Sequence, residues 1–156
     1  MTDAFFRAGV GAVVLNSSRR ILVMKRKDVA GDEGWQLPQG GIGPDEDPVE
    51  ALYRELKEET GLGRDQIRVV KSMPEWLAYE LPAQYRNPKV GWGQVQRWYL
   101  CRLVGAAQQA VKPDQMEFSA VDWVTANQLL ERAVQFRQHL YRRLVNEFDL
   151  LGVAAS

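Results

Sequence analysis

The chain has 156 residues, 46% of them hydrophobic and 26% charged, a composition that excludes collagen-like, low-complexity and disordered proteins. A chain of this length buries roughly 70% of the surface it exposes when unfolded, so one domain spanning residues 1–156 needs no disulfide or structural metal. Twenty basic and twenty acidic residues cancel, and no apolar run approaches the ~18 residues of a membrane span.

In chain order, Val10 to Leu15 and Ile21 to Met24 are β-type runs joined by Asn16-Ser17-Ser18-Arg19-Arg20, which predicts a hairpin. A short strand is expected at Trp35 to Leu37, ending at Pro38. Gln39 to Pro44 holds three glycines and a proline and is read as a loop. Asp47 followed by Pro48 marks a helix start, with the carboxylate placed to cap free amides. The helix should run from Pro48 to Thr60 and stop at Gly61. Further strands are expected at Ile67–Lys71, Trp76–Leu81, Gln96–Val104 and Ala120–Val124. Thr125 can cap a short helix through Leu130. A longer helix over Val134–Phe148 carries Phe136, Leu140, Leu144 and Phe148 at i, i+4 spacing. Strands and helices mix without βαβ alternation, so the fold class is α+β, a mixed sheet with helices on its faces.

The neutral total hides an asymmetry. Asp45 to Glu59 contains seven acids against Arg54 and Lys57, and the rest of the chain carries the compensating positive charge. At 100° per residue Glu55, Glu58 and Glu59 share one helix face beside the apolar Leu52 and Leu56. A solvated acidic helix would explain this on charge count alone. Yet the residue four after Glu55 is another glutamate rather than a lysine, and hard divalent cations favour such carboxylate clusters. The preceding glycines let backbone carbonyls approach the same point. Cys101 is the single cysteine; within Trp98-Tyr99-Leu100-Cys101 it reads as a buried, inert thiol, consistent with a reducing compartment. No signal-peptide pattern opens the sequence, so a cytoplasmic protein is expected. His139 has no second histidine or cysteine nearby and is placed on a helix surface.

Gly40 to Leu62 reads G-x5-E-x7-R-E-L-x-E-E-x-G-L, with Gly40, Glu46, Arg54, Glu55, Leu56, Glu58, Glu59, Gly61 and Leu62 in register. This resembles the Nudix box of the Nudix hydrolases at every defined position. The resemblance implies an α/β/α sandwich and hydrolysis of a nucleoside diphosphate linked to another group, with magnesium or manganese, about two or three ions, as cofactor. It implies Glu55, Glu58 and Glu59 as metal ligands, joined by the backbone carbonyl of Gly40 or Gln39. Glu46 and Arg54 would form a structural pair. A further catalytic and metal-binding carboxylate is assigned to Glu117, which precedes the Phe118-Ser119-Ala120-Val121 run; a plain surface turn residue is its other reading.

Trp35-Gln36-Leu37-Pro38-Gln39-Gly40-Gly41, Trp76-Leu77-Ala78-Tyr79-Glu80-Leu81-Pro82, Gly93-Gln94-Val95-Gln96-Arg97-Trp98 and the stretch from Phe136 to Leu144 resemble segments of the bacterial RNA pyrophosphohydrolases and the related dinucleoside polyphosphate hydrolases. That resemblance implies 5′-triphosphorylated RNA as substrate, trimmed to a monophosphate so that mRNA decay can begin. Dinucleoside polyphosphates and a free nucleotide such as dGTP are the alternatives. Neither a membrane nor a DNA duplex is an expected partner, and a homodimer is suggested only by the habit of several such enzymes. An RNA end needs aromatic faces and basic groups. Arg7, Arg26 and Lys27 are carried over as phosphate contacts. Gln39, Tyr79, Gln94, Val134, Phe136 and Arg137 complete the substrate-binding set. Phe136 has an alternative place on the apolar stripe of its helix, and Trp98 and Tyr99 are read as core. The pattern departs at Lys27, where enterobacterial enzymes carry arginine; Arg26 stands beside it, but lysine lacks bidentate reach.

Overall fold

The structure, a computed structural model, describes residues 4–29, 34–105 and 110–151. Among the described residues eight strands form one mixed sheet: β1 (Phe6–Leu15), β2 (Ile21–Arg26), β3 (Trp35–Gln36), β4 (Gln39–Gly41), β5 (Ile67–Ser72), β6 (Leu77–Glu80), β7 (Gly93–Leu103) and β8 (Phe118–Val124). Three helices accompany them in the described residues: α1 (Pro48–Thr60), α2 (Ala126–Arg132) and α3 (Gln135–Glu147). Short 3-10 turns occupy Arg64–Gln66 and Ala83–Tyr85.

The spine is a parallel pair, β1 on β7, in continuous register from Phe6 opposite Gly93 to Leu15 opposite Arg102. Two strands joined this way need a long crossover, and 77 intervening residues supply it. Each partner is then shared between two further strands. β4 lies antiparallel to β1 at Gly9–Gly11, whereas β2 meets it at Leu15. β6 covers the first part of β7 and β5 the last. β8 completes the sheet along β2.

Side chains alternate across this sheet and build a core on each face. Val13, Leu15, Val23, Trp98 and Leu100 pack with α2 and α3 through Leu129, Leu140, Tyr141 and Leu144. Val10, Ala12, Val14, Leu22, Tyr99 and Cys101 pack with α1 through Ala51, Leu52 and Leu56. The result is the α/β/α layering expected from the resemblance. Cys101 is fully buried, and burial pushes its thiol up to about 12, so it is inert as expected. His139 is exposed on α3.

Local chemistry explains most boundaries. Asn16 accepts from the N–H groups of Ser18 and Arg20, closing the turn between β1 and β2 with Arg19 at φ 58°. Gly61, at φ 78°, ends α1 and donates its N–H to the carbonyl of Lys57. Thr125 and Gln128 form a reciprocal capping box at α2. Two expectations fail. Asp47 occupies the cap position of α1, but its side chain makes no capping hydrogen bond. Pro48 has no N–H to offer, the Ala51 N–H goes to the Asp47 backbone carbonyl, and the exposed carboxylate is left to water. Gln39 to Gly41, read as loop, is a strand. Its glycines let two backbones approach so closely that a Cβ on Gly9 would lie 2.6 Å from the Gly40 carbonyl oxygen.

Gly11 makes room on the face toward α3. A Cβ there would lie 2.4 Å from the indole of Trp98, which is fully buried. Gly11→Ala is therefore expected to destabilise the protein by about 1–3 kcal/mol through overpacking. Urea unfolding checks this; an unchanged midpoint would show that the ring can yield.

Candidate active site

Helix α1 turns Ala51, Leu52 and Leu56 into the core, which leaves its acidic residues graded by depth. The side chain of Glu58 is 56% exposed and that of Glu55 15% exposed, while Glu59 as a whole is 4% exposed. The grading follows from the 3.6-residue repeat, since Glu59 stands one turn after the half-buried Glu55 and next to the buried Thr60.

Arg54 organises the upper part of the cluster. Its guanidinium pairs with both oxygens of Glu46 at 2.7 and 2.8 Å, donates to the Gly41 carbonyl at 2.8 Å, and reaches Glu55 at 2.8 Å and Glu58 at 3.3 Å. Glu46 also accepts the Gly43 N–H. These hydrogen bonds, Arg54 first and Gly43 second, hold Glu46 down at about 2. The loop between β4 and α1 is thereby tied to the helix. Gly40 makes the fit possible: a Cβ on it would lie 1.9 Å from the Glu55 carboxyl carbon. Gly41 plays the same part for Arg7, whose Nη2 would meet an added Cβ at 2.1 Å.

Glu59 is different, because no cation pairs with it among the described residues. Its Oε1 accepts the Gln39 N–H at 2.9 Å. Burial pushes its pKa well above the ordinary carboxylate range, and the charges of Glu117 and Glu55 add to this against the Gln39 hydrogen bond and Arg26. Glu55 is raised by burial too, with Arg54 opposing. Glu117 stands just before β8, its carboxylate 3.5 Å from Arg26, which also pairs with Asp28 at 2.9 Å.

Do these groups suit a divalent cation? Every donor is a hard oxygen, and buried Glu59 lacks a countercharge, which is the chemistry such an ion requires. Among the described residues no three acidic side chains point at one position; the carboxylates of Glu46, Glu55 and Glu58 are turned onto Arg54, which supplies the positive charge. The residues fit the group in kind, and rotation of Glu55 and Glu58 away from Arg54 would free their oxygens.

Beside Arg26 opens a cleft of about 250 Å³, walled by Arg26, Gln36, Tyr85, Gln94, Val134, Phe136 and Arg137. Five of the expected substrate residues thus meet in one cavity. Arg137 donates to Gln36 at 3.2 Å and lies 4.9 Å from the centre of the Phe136 ring. Phe136 satisfies both readings of it, packing against the core and lining the cleft. Four expected residues are elsewhere, Arg7 being the one already placed beside Gly41. Tyr79 is buried behind Phe136, with ring centroids 6.1 Å apart. Lys27 is exposed in the turn after β2, where its N–H meets the Glu117 carbonyl. Gln39 lies under α1, against Glu55 and Leu56. Tyr85 and Asn87, which also line the cleft, escaped the sequence reading because nothing marks them within a turn-rich segment. Gln36 was visible in its motif but carried no assigned role.

The NUDIX domain profile matches residues 5–144. The RNA pyrophosphohydrolase of Gluconacetobacter diazotrophicus is 41% identical over 162 aligned residues, covering 95% of this chain and 96% of that protein. That of Thioalkalivibrio sulfidiphilus is 40% identical, covering 91% and 83%. Among solved structures, Escherichia coli dihydroneopterin triphosphate pyrophosphohydrolase superposes with a TM-score of 0.71 at 19% identity, covering 93% of this chain and 99% of the other; at that identity the likeness speaks for the fold. The chain therefore belongs to the NUDIX domain family. It is a hydrolase of pyrophosphate bonds, and hydrolases of this family generally use divalent metal ions.

The buried acid makes stability pH-dependent. In the folded state Glu59 keeps its proton above pH 4.5, where the unfolded carboxylate loses it. The unfolded state then binds fewer protons, so stability falls as pH rises from about 4.5 until the raised folded pKa is passed. In EDTA, the melting temperature of the wild type is expected to fall relative to that of Glu59→Gln across this window. Parallel curves would show that Glu59 titrates normally.

Proposed function

We propose that this chain is an RNA 5′-pyrophosphohydrolase, converting a 5′-triphosphate end to a monophosphate with release of pyrophosphate. One observation carries the reading: the acidic cluster of α1 and an aromatic, basic cleft adjoin through Arg26, which reaches Glu117 on one side and lines the cleft on the other. The names of the near-full-length relatives point the same way. Such trimming in the cytoplasm would expose transcripts to nucleases that prefer monophosphate ends.

Glu55, Glu58, Glu59 and Glu117, with the carbonyl of Gly40 or Gln39, would hold magnesium or manganese. When bound, such ions neutralise phosphate oxygens and ease deprotonation of water. The chain's own groups do the rest. Arg26 and Arg137, both lining the cleft, offset phosphate charge. Phe136 offers a face on which any base can stack, and Tyr85 flanks it. Arg7, held beside Gly41 near Glu55, adds positive charge where the phosphate chain would lie. Lys27, at the exposed end of β2, serves phosphates farther along the RNA. Arg54, with Glu46, fixes the loop so that Glu55 stays against Gly40.

Turnover of triphosphorylated RNA, diadenosine tetraphosphate and dGTP under one magnesium condition tests this. RNA is expected to be the preferred substrate, and Glu59→Gln is expected to lower its kcat by at least about 100-fold while keeping a wild-type-like circular dichroism spectrum. RNA as the slowest of the three, or wild-type turnover in the variant, would overturn the assignment.

A further inference from the structure

Gln36 and Gln94 line the cleft, Gln39 lies under α1 beside Glu55, and the buried Gln96 is within hydrogen-bond reach of Gln39 and Gln94; their amide orientations are dictated by chemistry rather than chance. Trp98 and Gln96 are both fully buried. The indole Nε1 of Trp98 meets Gln96 Oε1 at 3.2 Å. An indole N–H can only donate, so this end of Gln96 must be its oxygen and the other end its NH2. That NH2 reaches Gln39 Oε1 at 2.6 Å and Gln94 Oε1 at 3.3 Å. Both neighbours are thereby forced to turn their oxygens inward. Their own NH2 groups are left outward, without a hydrogen-bond partner among the described residues. Gln36 is fixed in the same sense by another donor-only group, Arg137, which takes up its Oε1 at 3.2 Å.

We infer that Trp98 and Gln96 are positioning residues that polarise this network, so that Gln39 and Gln94 present hydrogen-bond donors to the ligand, beside Gln36, whose amide Arg137 orients in the same sense. The inference rests on the proposed function and deepens it. The ligand groups so recognised are acceptor oxygens, either phosphoryl oxygens or the keto oxygens of a base. Amino groups on a base would meet a donor and be disfavoured. Desolvation sharpens the choice, because Gln36 and Gln94 are 2% and 9% exposed and a buried donor left facing another donor is costly. Without the indole, Gln96 can rotate by 180°, and the outer amides lose their fixed sense. The device is remote: Trp98 belongs to the core against α3, with its ring 6.4 Å from that of Tyr141, and Gln96 does not line the cleft.

The test compares wild type with Gln96→Met and Trp98→Phe, each checked for a wild-type-like circular dichroism spectrum. Gln96→Met keeps the question answerable if Trp98→Phe does not fold. Calorimetry in magnesium buffer measures binding of inorganic tripolyphosphate. Triphosphorylated dinucleotides differing only in a keto base, guanine or uracil, or an amino base, adenine or cytosine, give KM and kcat. Both variants are expected to raise KM about tenfold with kcat within twofold. A weakened tripolyphosphate affinity assigns the acceptor to phosphate. A loss confined to keto bases, with tripolyphosphate binding intact, assigns it to the base. In the wild type, amide side-chain NMR should show distinct, slowly exchanging NH2 pairs for Gln39 and Gln94 that average in the variants. Unchanged tripolyphosphate affinity together with an unchanged keto-to-amino ratio overturns the inference. The calorimetry and NMR do not require turnover, so a wild type inactive on RNA would refute the proposed function without deciding this point.

Discussion

The depth at which Glu59 is held conditions the rest of the site. A carboxylate this deep loses its hydration, and among the described residues only one backbone N–H, that of Gln39, answers it directly. Gln39 can do so because β4 is pinned on β1, with the Pro38 carbonyl accepting the Ala12 N–H and the Tyr141 hydroxyl accepting the Leu37 N–H. Sheet, glycine bend and the third helix are thus drawn into placing one oxygen pair. A deficit of positive charge at that point is what a hard cation would relieve.

Around that deep acid the charge is layered. Arg54 binds the outer carboxylates and the loop, and Arg26 links Glu117 to the neighbouring cleft. Charged groups are therefore close without neutralising the innermost one. The cleft repeats the theme with Arg137, which is half-buried with its Nε buried and unpartnered, and is held by Gln36 and the faces of Tyr79 and Phe136 rather than by an acid. An uncompensated guanidinium beside aromatic rings suits an anionic, π-rich ligand. The glutamine network lends the same polarity without adding net charge.

Much of this is legible in the amino-acid sequence. The Pro48 start, the Gly61 stop and the spacing of Leu52, Leu56 and the glutamates predicted α1 to the residue, because a helix is specified by local caps and a 3.6-residue period. The frame from Gly40 to Leu62 identified the family, and the motifs around Trp35, Trp76 and Gly93 pointed to the relatives found. The sequence also placed Cys101, Trp98 and Tyr99 in the core, where apolar runs on a doubly covered sheet must go.

Other features depend on distance in the chain, and no local pattern encodes them. The glycine-rich stretch read as loop because its residues have weak strand preference, yet pairing with β1 makes it β4. Tyr79 was assigned to the substrate set but faces Phe136 from behind, since the packing of α3 against β6 decides its surroundings. Tyr85 and Asn87 enter the cleft from a turn without any signature. The sequence by itself determined which chemical groups are present and which helix carries the acids, both being consequences of composition and short-range period. Only the tertiary structure decided how deeply each acid sits, which arginine meets which carboxylate and which way each glutamine amide faces, because those follow from contacts between segments that lie tens of residues apart.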